Sequence, residues 1–370
     1  MVPTKNPGRL KFETAVTRDD LQSVNSVEIS ADGRFVYATP WQLGAVVVFQ
    51  RDSTNGHLKH AQTLKNPLLQ GDTGIAFASS GKLAVAACFG SRSVVLMNCD
   101  TNTGKLKILH SVHHGEEDVP GVKEGENLAG LEFPIEAIFS PDARYVYVLN
   151  GNGVSLTIFR INNDKLEFVE STSGEDGSLD GARGLALSPD GKLIYVAAAT
   201  ANALNVLERN PQTGSVKVKQ TIWDEDPDVH GLAGVFGVTT SRDGQFIYTT
   251  SGRFSGDSAV SVFQRGTDGK LKVVHELIAE REELPSFLGG NRLILSPDEK
   301  HLYAVATRSG TVASFDRDPK TGRLKILETF TDDDNNGITA GAAGVAISPD
   351  GKHVYIAAEG QATISIYRRN

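Results

Sequence analysis

The chain of 370 residues is long enough for two ordinary domains or one large repeat array, and it carries a formal net charge of −8 at pH 7. This acidic balance argues against a general affinity for nucleic-acid phosphates. No segment approaches the roughly 18–20 apolar residues that span a membrane, so we expect neither nucleic acid nor membrane as a partner.

The N-terminal segment Met1–Pro7 contains no apolar signal core. We therefore expect a cytoplasmic protein, or a periplasmic or secreted one if a signal peptide has been removed. The two cysteines, Cys88 and Cys99, fall several positions out of register on one predicted hairpin, which is farther apart than a disulfide tolerates. We expect both to be packed thiols.

One turn pattern recurs seven times, and each copy separates two apolar runs. The last copy, Ser348-Pro349-Asp350-Gly351, has the chemistry of a β-turn, because Ser and Asp bond the turn backbone, Pro presets φ and Gly tolerates a positive φ. The copies begin at Ser30, Ala78, Ser140, Ser188, Ser241, Ser296 and Ser348. Their spacing of roughly 48–62 residues, filled with short strand patterns, is typical of propeller blades.

Two further features repeat with the same period. An aromatic residue stands four positions after the Gly position in six copies, as Tyr37, Tyr147, Tyr195, Tyr248, Tyr303 and Tyr355. Its apolar surroundings predict a central strand buried between blades. A second turn, usually with Gly two positions before Leu or Val, predicts a hairpin between the third and fourth strands. The last copy lacks this turn, and Asn6-Pro7-Gly8-Arg9-Leu10 at the front of the chain supplies it.

We therefore predict an all-β fold, a single seven-bladed β-propeller of four-stranded antiparallel blades, in which the N-terminal strand completes the last blade and closes the ring. The predicted segments are 9–16 (outer strand of blade 7), 24–66 (blade 1), 73–112 (blade 2), 132–172 (blade 3), 182–223 (blade 4), 235–279 (blade 5), 291–331 (blade 6) and 342–370 (the rest of blade 7).

The regular turns should share one face of the disc, and the irregular linkers and loops the other, which we expect to carry any site. The first residues of the innermost strands should ring the channel mouth on that face. Six positions before the Pro of each turn stand Asn25, Thr73, Ile135, Arg183, Phe236, Asn291 and Ala343. The next position holds Ser26, Gly74, Glu136, Gly184, Gly237, Arg292 and Gly344. Small residues dominate this second ring, and Glu136 and Arg292 interrupt it.

The candidate catalytic residues are Glu136, Arg183, Arg292 and His230. Arginines suit a ligand carboxylate or phosphate through paired hydrogen bonds, and a glutamate in such a mouth can act as general acid or base. His230, in the linker before blade 5, could be a base near neutral pH if it reaches the channel. In the alternative interpretation the charged groups pair with one another and only tie the blades together, and His230 is an exposed loop residue.

The candidate substrate-binding residues are Asn25, Trp41, Phe236, Asn291 and Arg253; Phe89, Phe254, Asn150 and Asn152 lie in loops of the same face. Trp41 could stack on a sugar, or cap the gap between blades. The acidic linkers lack the spacing of a calcium loop, and neither a zinc motif nor a phosphate-binding loop occurs. We expect no metal and no cofactor, and a cation-binding rim is the alternative for the acidic linkers.

The sevenfold Ser-Pro-Asp-Gly pattern with its tyrosines, the Thr-Gly-x-Leu turns and the split last blade resemble the lactonase family of seven-bladed β-propellers. The resemblance covers the chain from Arg9 to Asn370. It implies an enzyme related to bacterial phosphogluconolactonases or fungal carboxymuconate cyclases, with charged residues at the channel mouth and no metal. By position, Glu136, Arg183 and Arg292 are the nearest equivalents of the family's charged groups. The sequence departs from that pattern because no histidine lies on the innermost ring.

The function expected from these features is hydrolysis of a small anionic sugar lactone or related cyclic ester by a monomer. A lyase or cycloisomerase acting on a carboxylate-bearing substrate in the same funnel is the first alternative. A propeller without catalytic activity that binds a protein or glycan on its loop face is the second. We expect the chemistry on blades 3 to 6, across the channel from Ala343-Gly344.

Overall fold

The computed structural model describes residues 7–151, 155–174, 176–253, 258–281, 284, 287–332 and 338–370. Within these ranges 28 strands form seven four-stranded antiparallel sheets, and the predicted all-β propeller is confirmed. No helix in the described ranges is long and apolar enough to cross a membrane.

Each blade takes four consecutive strands, except the last. Blade 1 comprises β2 (Val24–Ile29), β3 (Phe35–Pro40), β4 (Ala45–Arg51) and β5 (Leu58–Lys65); blade 2 comprises β6 (Asp72–Phe77), β7 (Leu83–Cys88), β8 (Ser93–Cys99) and β9 (Leu106–His113); blade 3 comprises β10 (Pro134–Phe139), β11 (Tyr145–Asn150), β12 (Ser155–Asn162) and β13 (Lys165–Thr172). Blade 4 comprises β14 (Ala182–Leu187), β15 (Leu193–Ala198), β16 (Ala203–Arg209) and β17 (Val216–Trp223); blade 5 comprises β18 (Gly237–Thr240), β19 (Phe246–Thr250), β20 (Ala259–Arg265) and β21 (Leu271–Ile278); blade 6 comprises β22 (Gly290–Leu295), β23 (His301–Ala306), β24 (Thr311–Arg317) and β25 (Leu324–Phe330).

Blade 7 joins the two ends of the chain. It comprises β26 (Ala342–Ile347), β27 (His353–Ala358) and β28 (Thr363–Arg369), and the N-terminal strand β1 (Leu10–Thr17) pairs with β28 as its outer strand. The register runs from Leu10 opposite Arg369 to Thr17 opposite Thr363. The predicted ring closure is therefore confirmed. Short 3₁₀ turns at Asp19–Leu21, Pro67–Leu69, Ala279–Arg281 and Glu359–Gln361 complete the described elements.

The tyrosine repeat and the second turn repeat are two halves of one contact. Five tyrosine hydroxyls donate to the carbonyl of the turn glycine of the next blade: Tyr37 to Gly104, Tyr147 to Gly214, Tyr248 to Gly322, Tyr303 to Gly8 and Tyr355 to Gly56, at 2.8–3.2 Å. Gly104 has φ +71°, and a Cβ there would lie 2.3 Å from the Phe35 ring. Glycine recurs in this turn because the backbone is left-handed and an aromatic ring of the preceding blade packs on it.

The outer strands bind the next blade through one repeated position. Six side chains accept the backbone N–H of the first or second residue of the next outer strand: Gln62 from Leu106, His110 from Leu166, Glu170 from Val216, Gln220 from Leu271, His275 from Leu324 and Glu328 from Leu10. The last of these bonds, at 2.6 Å, anchors the N-terminal strand. The apolar core lies in the same blade junctions; for example, Tyr37 of blade 1 packs with Met97 of blade 2. Both cysteines are buried and neither forms a disulfide, as predicted.

The face with the Ser-Pro-Asp-Gly turns is held by buried arginines. Arg51 at the end of β4 reaches back to blade 7, where it pairs with Asp350 at 3.1 Å and donates to the Tyr355 hydroxyl at 2.9 Å. Its side chain is 2% exposed. Arg265 to Asp190 and Arg369 to Asp298 repeat the contact at two other junctions. We call this the scaffold face, because these arginines pair with aspartates of neighbouring blades and so hold the blades together.

Histidines at this face act as acceptors. Arg51 and Arg369 can only donate, so His353 Nδ1 and His301 Nδ1, at 2.9 and 2.6 Å from the guanidinium nitrogens, must be unprotonated. Burial lowers the pKa of both imidazoles, and the neighbouring arginine lowers it further. Both rings therefore stay neutral in the folded protein while they can take up a proton in the unfolded chain.

We expect His353→Gln to flatten the pH dependence of the free energy of unfolding. A histidine with a lowered folded pKa contributes its full stability above the unfolded value of about 6.5, and this is lost as the pH falls from there toward the folded pKa, by at most about 1.4 kcal/mol per pH unit. Urea unfolding at several pH values between 8 and 5 measures the difference between wild type and variant, so that the other titrating groups cancel. Parallel curves for the two proteins would contradict the assignment; His57→Gln, on an exposed turn, is the control.

Candidate active site

The seven innermost strands surround the central channel. A cavity of about 290 Å³ is lined by β2, β6, β10, β18, β22 and β26. Alternate residues of these strands serve two purposes. Val27, Ala137 and Leu293 are buried in the clusters at the blade junctions and border the cavity there, and the residues on either side of each of them line the cavity as well.

A bulge opens most innermost strands at the channel mouth. In β10 the pairing passes from Pro134 to Glu136 and leaves Ile135 as the extra residue, and in β14 it leaves Arg183. Such bulges bend a strand and redirect the side chain of the extra residue. The two predicted rings of mouth residues are thus adjacent positions at a bulge.

Glu136 and Arg292 meet across the channel. Arg292 Nη1 on blade 6 donates to Glu136 Oε1 on blade 3 at 2.5 Å, and the two side chains are 23% and 16% exposed. Desolvation raises the pKa of Glu136, while Arg292 and the Leu185 amide oppose the rise. Glu136 Oε2 is buried and makes no hydrogen bond within the described part of the chain. One oxygen of this carboxylate is therefore held by Arg292, and the other is left without a hydrogen bond from the described residues.

Two more arginines belong to the same region. The Arg183 guanidinium lies directly against Gly151, since a Cβ there would be 2.2 Å from Nη1. Burial lowers the pKa of Arg183. Burial also lowers the pKa of Arg253; Glu359 opposes this, and the charges of Arg292 and Arg183 add to it. The charges of Arg292 and Arg183 thus both act on Arg253, and this concentration of positive charge favours an anion there.

Glu359 links the rim of blade 7 to blades 1 and 5. Its Oε1 accepts from Trp41 Nε1 at 3.0 Å, and its Oε2 lies 4.0 Å from Arg253 Nη2. The Arg253 guanidinium stands over the Phe236 ring, 5.5 Å from its centroid. Sequence reasoning missed Glu359, because the pattern around it marks only a polar break between strands. Blade 7 therefore brings a carboxylate to Trp41 and Arg253, although the sequence placed the expected chemistry on blades 3 to 6.

Glu28 is the second residue that the sequence pattern left unnoticed. It lines the same cavity from β2, two residues beyond Ser26. Desolvation raises its pKa to about 7; Arg292 opposes the rise and Glu136 adds to it. The matching residues of the other blades are Ala76, Ile138, Ala186, Thr239, Ile294 and Ala346. Glu28 is thus the one carboxylate at this position of the repeat, and this departure from the other six copies was the signal that could have identified it.

The structure does not bring His230 to this cluster. The His230 side chain is exposed, and its backbone N–H donates to Glu276 at 3.2 Å. Glu276 lies on β21, the outer strand of blade 5, opposite Ser261 of β20. This outer strand is three strand spacings from the channel strand β18. At about 4.8 Å per spacing this is roughly 14 Å. The loop interpretation of His230 fits this position.

The remaining predicted residues have mixed positions. Asn291 is 2% exposed, and its Nδ2 donates to Thr307 at 2.9 Å, so it ties strands together. Asn25 stands at the bulge of β2 beside Gly344. Phe254 and Asn152 lie outside the described residues. No group of three or more His, Cys, Asp or Glu side chains within the described ranges is arranged to hold a metal.

Comparisons with known proteins agree with this architecture. The chain matches the family described as "Lactonase, 7-bladed beta-propeller" over residues 9–120, 136–335 and 288–370. It is similar to the 6-phosphogluconolactonase of Bacillus subtilis (strain 168), with 26% identity over 190 residues, which is about half of each protein (51% and 51%).

Two solved structures have the same fold. The periplasmic gluconolactonase PpgL of Pseudomonas aeruginosa superimposes with a TM-score of 0.69 at 18% identity, covering 98% of this chain and 93% of that one. The hydrazine synthase of Kuenenia stuttgartiensis reaches 0.67 at 16% identity, covering 95% and 97%. Identities this low establish the fold alone, and the fold serves unrelated chemistries. The family match extends over most of the sequence, and the chain belongs to the lactonase family of seven-bladed β-propellers.

Proposed function

We propose that the protein hydrolyses a small anionic sugar lactone at the channel mouth. The observation that carries this proposal is the group of Arg183, Arg253 and Arg292, of which Arg292 holds the partly exposed carboxylate of Glu136, beside a cavity of about 290 Å³. Membership of the lactonase family and the similarity to a 6-phosphogluconolactonase support the reaction class.

Each group has a role that follows from its position. Arg183 and Arg253 hold the carboxylate or phosphate of the substrate, because guanidinium groups bind such anions through paired hydrogen bonds. Arg292 faces the lactone carbonyl and stabilises the oxyanion that forms there. Glu136 Oε2 takes a proton from the attacking water as general base. Trp41 and Phe236 flank the entrance.

The chemistry needs groups of one chain only, so we propose that a monomer is active. Water is the nucleophile, the base is Glu136, and the charge on the carbonyl is met by arginine. We accordingly propose a mechanism without metal or cofactor. Turnover that is unchanged by a chelator is the expected result, and loss of turnover that added metal restores would contradict this part.

A matched pair of substrates tests the proposal. We expect 6-phosphoglucono-δ-lactone to be opened with a kcat/KM at least about 10-fold above that of neutral glucono-δ-lactone, since a desolvated ionic contact is worth more than about 1.4 kcal/mol. Acid release in a pH-stat, with the uncatalysed rate subtracted, measures both. Equal rates would overturn the anionic preference, and no turnover of any sugar lactone would overturn the hydrolase.

Mass spectrometry of the product separates the alternatives at the same site. Hydrolysis adds one water to the substrate, whereas a cycloisomerase leaves the mass unchanged. A ligand that binds in calorimetry and is recovered intact would instead favour a propeller without catalytic activity.

A further inference from the structure

The channel below the mouth holds more negative charge than its one arginine can balance. Glu28, Glu136 and Arg292 come from blades 1, 3 and 6 and line one cavity. Arg292 donates to Glu136 Oε1, and the carboxylate of Glu28 is left as the third member. Glu28 and Glu136 are both only partly exposed, so if both carboxylates were ionised the cavity would carry one uncompensated negative charge with limited access to water, which is costly.

Among the described residues that line the cavity, Arg292 is the one cation that faces Glu28. Facing it across the channel are Glu136 on β10 and Arg292 on β22. At the cavity wall, β6, β18 and β26 present residues without titratable groups: Gly74, Ile75, Ala76, Phe77, Val238, Thr239, Gly344 and Val345. On the neighbouring β3 the register partner is Tyr37, whose hydroxyl is engaged with the Gly104 carbonyl.

Two species could neutralise the extra charge, a metal cation or a proton. A metal ion needs several converging oxygens and would be repelled by the Arg292 guanidinium in the same cavity. A proton needs only one carboxylate oxygen and a hydrogen-bond partner for the resulting O–H group. The cavity has room for water molecules that can be this partner. The proton is the species that fits.

We propose that Glu28 and Glu136 hold one proton between them, that Glu28 carries it in the resting protein, and that Glu28 is the acid partner of Glu136 in catalysis. The burial that raises the pKa of Glu28 to about 7 agrees with this assignment. Because Arg292 bonds Glu136 and not Glu28, the ionised member of the pair is Glu136. A site that uses one carboxyl group as the acid and another as the base needs the first to be protonated and the second to be ionised at the same pH.

The catalytic part rests on the proposed function, and its steps balance. The water oxygen forms a bond to the lactone carbonyl carbon while Glu136 Oε2 takes one water proton, and the carbonyl electron pair moves onto its oxygen beside Arg292. That pair then re-forms the carbonyl, the ring C–O bond breaks, and the ring oxygen takes the proton of Glu28. The products are the hydroxy acid, ionised Glu28 and protonated Glu136. Return of that proton from Glu136 to Glu28 through the cavity restores the resting state.

Infrared spectroscopy of the free protein tests the proton without any substrate. We expect a carbonyl stretch of a buried protonated carboxylic acid that disappears as the pH rises through about 7 and that is absent in Glu28→Gln. Glu28→Ala is the second variant, since alanine occupies the matching position at Ala76, Ala186 and Ala346 and the fold tolerates it there. Glu132→Gln, on the exposed linker, should leave the band in place. A wild type without this band, or a band that survives in both Glu28 variants, would overturn the proton site.

The pH–rate profile tests the catalytic part separately. We expect both Glu28 variants to lose at least about 10-fold in kcat at pH 6 and to lose the decline of the wild-type rate above about pH 7, because an acid catalyst must be protonated to act. If Glu28 had only a structural role, its replacement would change the rate but would leave the decline of the rate at alkaline pH in place. Variants with the wild-type kcat and profile would overturn the acid role even if the band is lost. A wild type that shows the band but opens no lactone would overturn the proposed function and leave the proton site standing.

Discussion

Glu136→Gln should lower kcat for lactone opening by about 10²–10⁴-fold, which is the usual contribution of a positioned general base. The amide keeps the size of the carboxylate and can still accept from Arg292 Nη1 through its oxygen, so the geometry of the mouth is retained. What the amide cannot do is take a proton from water at the position of Oε2. We expect KM to change little, because the arginines that hold the substrate anion are untouched. Initial rates across substrate concentrations at pH 7 measure both constants.

The matched control is Glu132→Gln, four residues earlier on the exposed linker, which should keep the wild-type rate. Retention of wild-type kcat by Glu136→Gln on every accepted substrate would remove Glu136 from the mechanism. The ion pair with Arg292 would then be a tie between blades, which is the alternative that the sequence left open.

Arg292→Met should lower kcat/KM by about 10²–10³-fold at pH 7, for two reasons. The oxyanion loses its positive partner, an effect of that size in other acyl-transfer sites. Glu136 also loses the charge that opposes its desolvation, so its pKa rises further and less of the base is ionised at pH 7. The acidic limb of the pH–rate profile should therefore move to higher pH, and the decline above about pH 7 should move with it, because Arg292 also lowers the pKa of Glu28. An acidic limb that stays in place would contradict the electrostatic link between the two residues.

Stability measurements separate this effect from unfolding. Removing one partner of a buried ion pair costs about 3–5 kcal/mol, whereas replacing both is often neutral. We therefore expect Arg292→Met to unfold at lower urea concentration than wild type, and the double variant Glu136→Gln with Arg292→Met to regain most of that loss while staying inactive. Arg242→Met, which removes the same charge from an exposed turn on the scaffold face, is the control for net charge.

The repeat was predictable because its signals are local. The Ser-Pro-Asp-Gly turn is made by neighbouring residues, and the Ser348 hydroxyl indeed donates to Asp350 within that turn. Ring closure was predictable for a different reason. The last repeat lacks its second turn and fourth strand, and the N-terminal segment carries this turn and strand without the rest of a blade. The arginines that tie the scaffold face were missed, because Arg51 and Asp350 are 299 residues apart and no local pattern connects them.

The site was only partly predictable. Aligning the seven copies of the repeated turn placed Glu136 and Arg292 in the same ring, and their contact spans 156 residues of sequence. Glu28 lies two residues beyond Ser26 on the same strand, and a search confined to the two mouth positions stops before it. His230 shows the opposite limit. A linker has no period, so its path over the outer strand of blade 5 could not be read from the sequence.

The most direct test of the catalytic mouth is a crystal structure of the protein with 6-phosphogluconate, the hydroxy acid formed from the proposed phosphorylated substrate. We predict that its phosphate lies within hydrogen-bond distance of Arg183 or Arg253 and that its carboxylate lies between Arg292 and Glu136, above the cavity that Glu28 lines. A ligand bound at the scaffold face or on the outer strands, with the mouth occupied only by solvent at saturating concentration, would contradict the account.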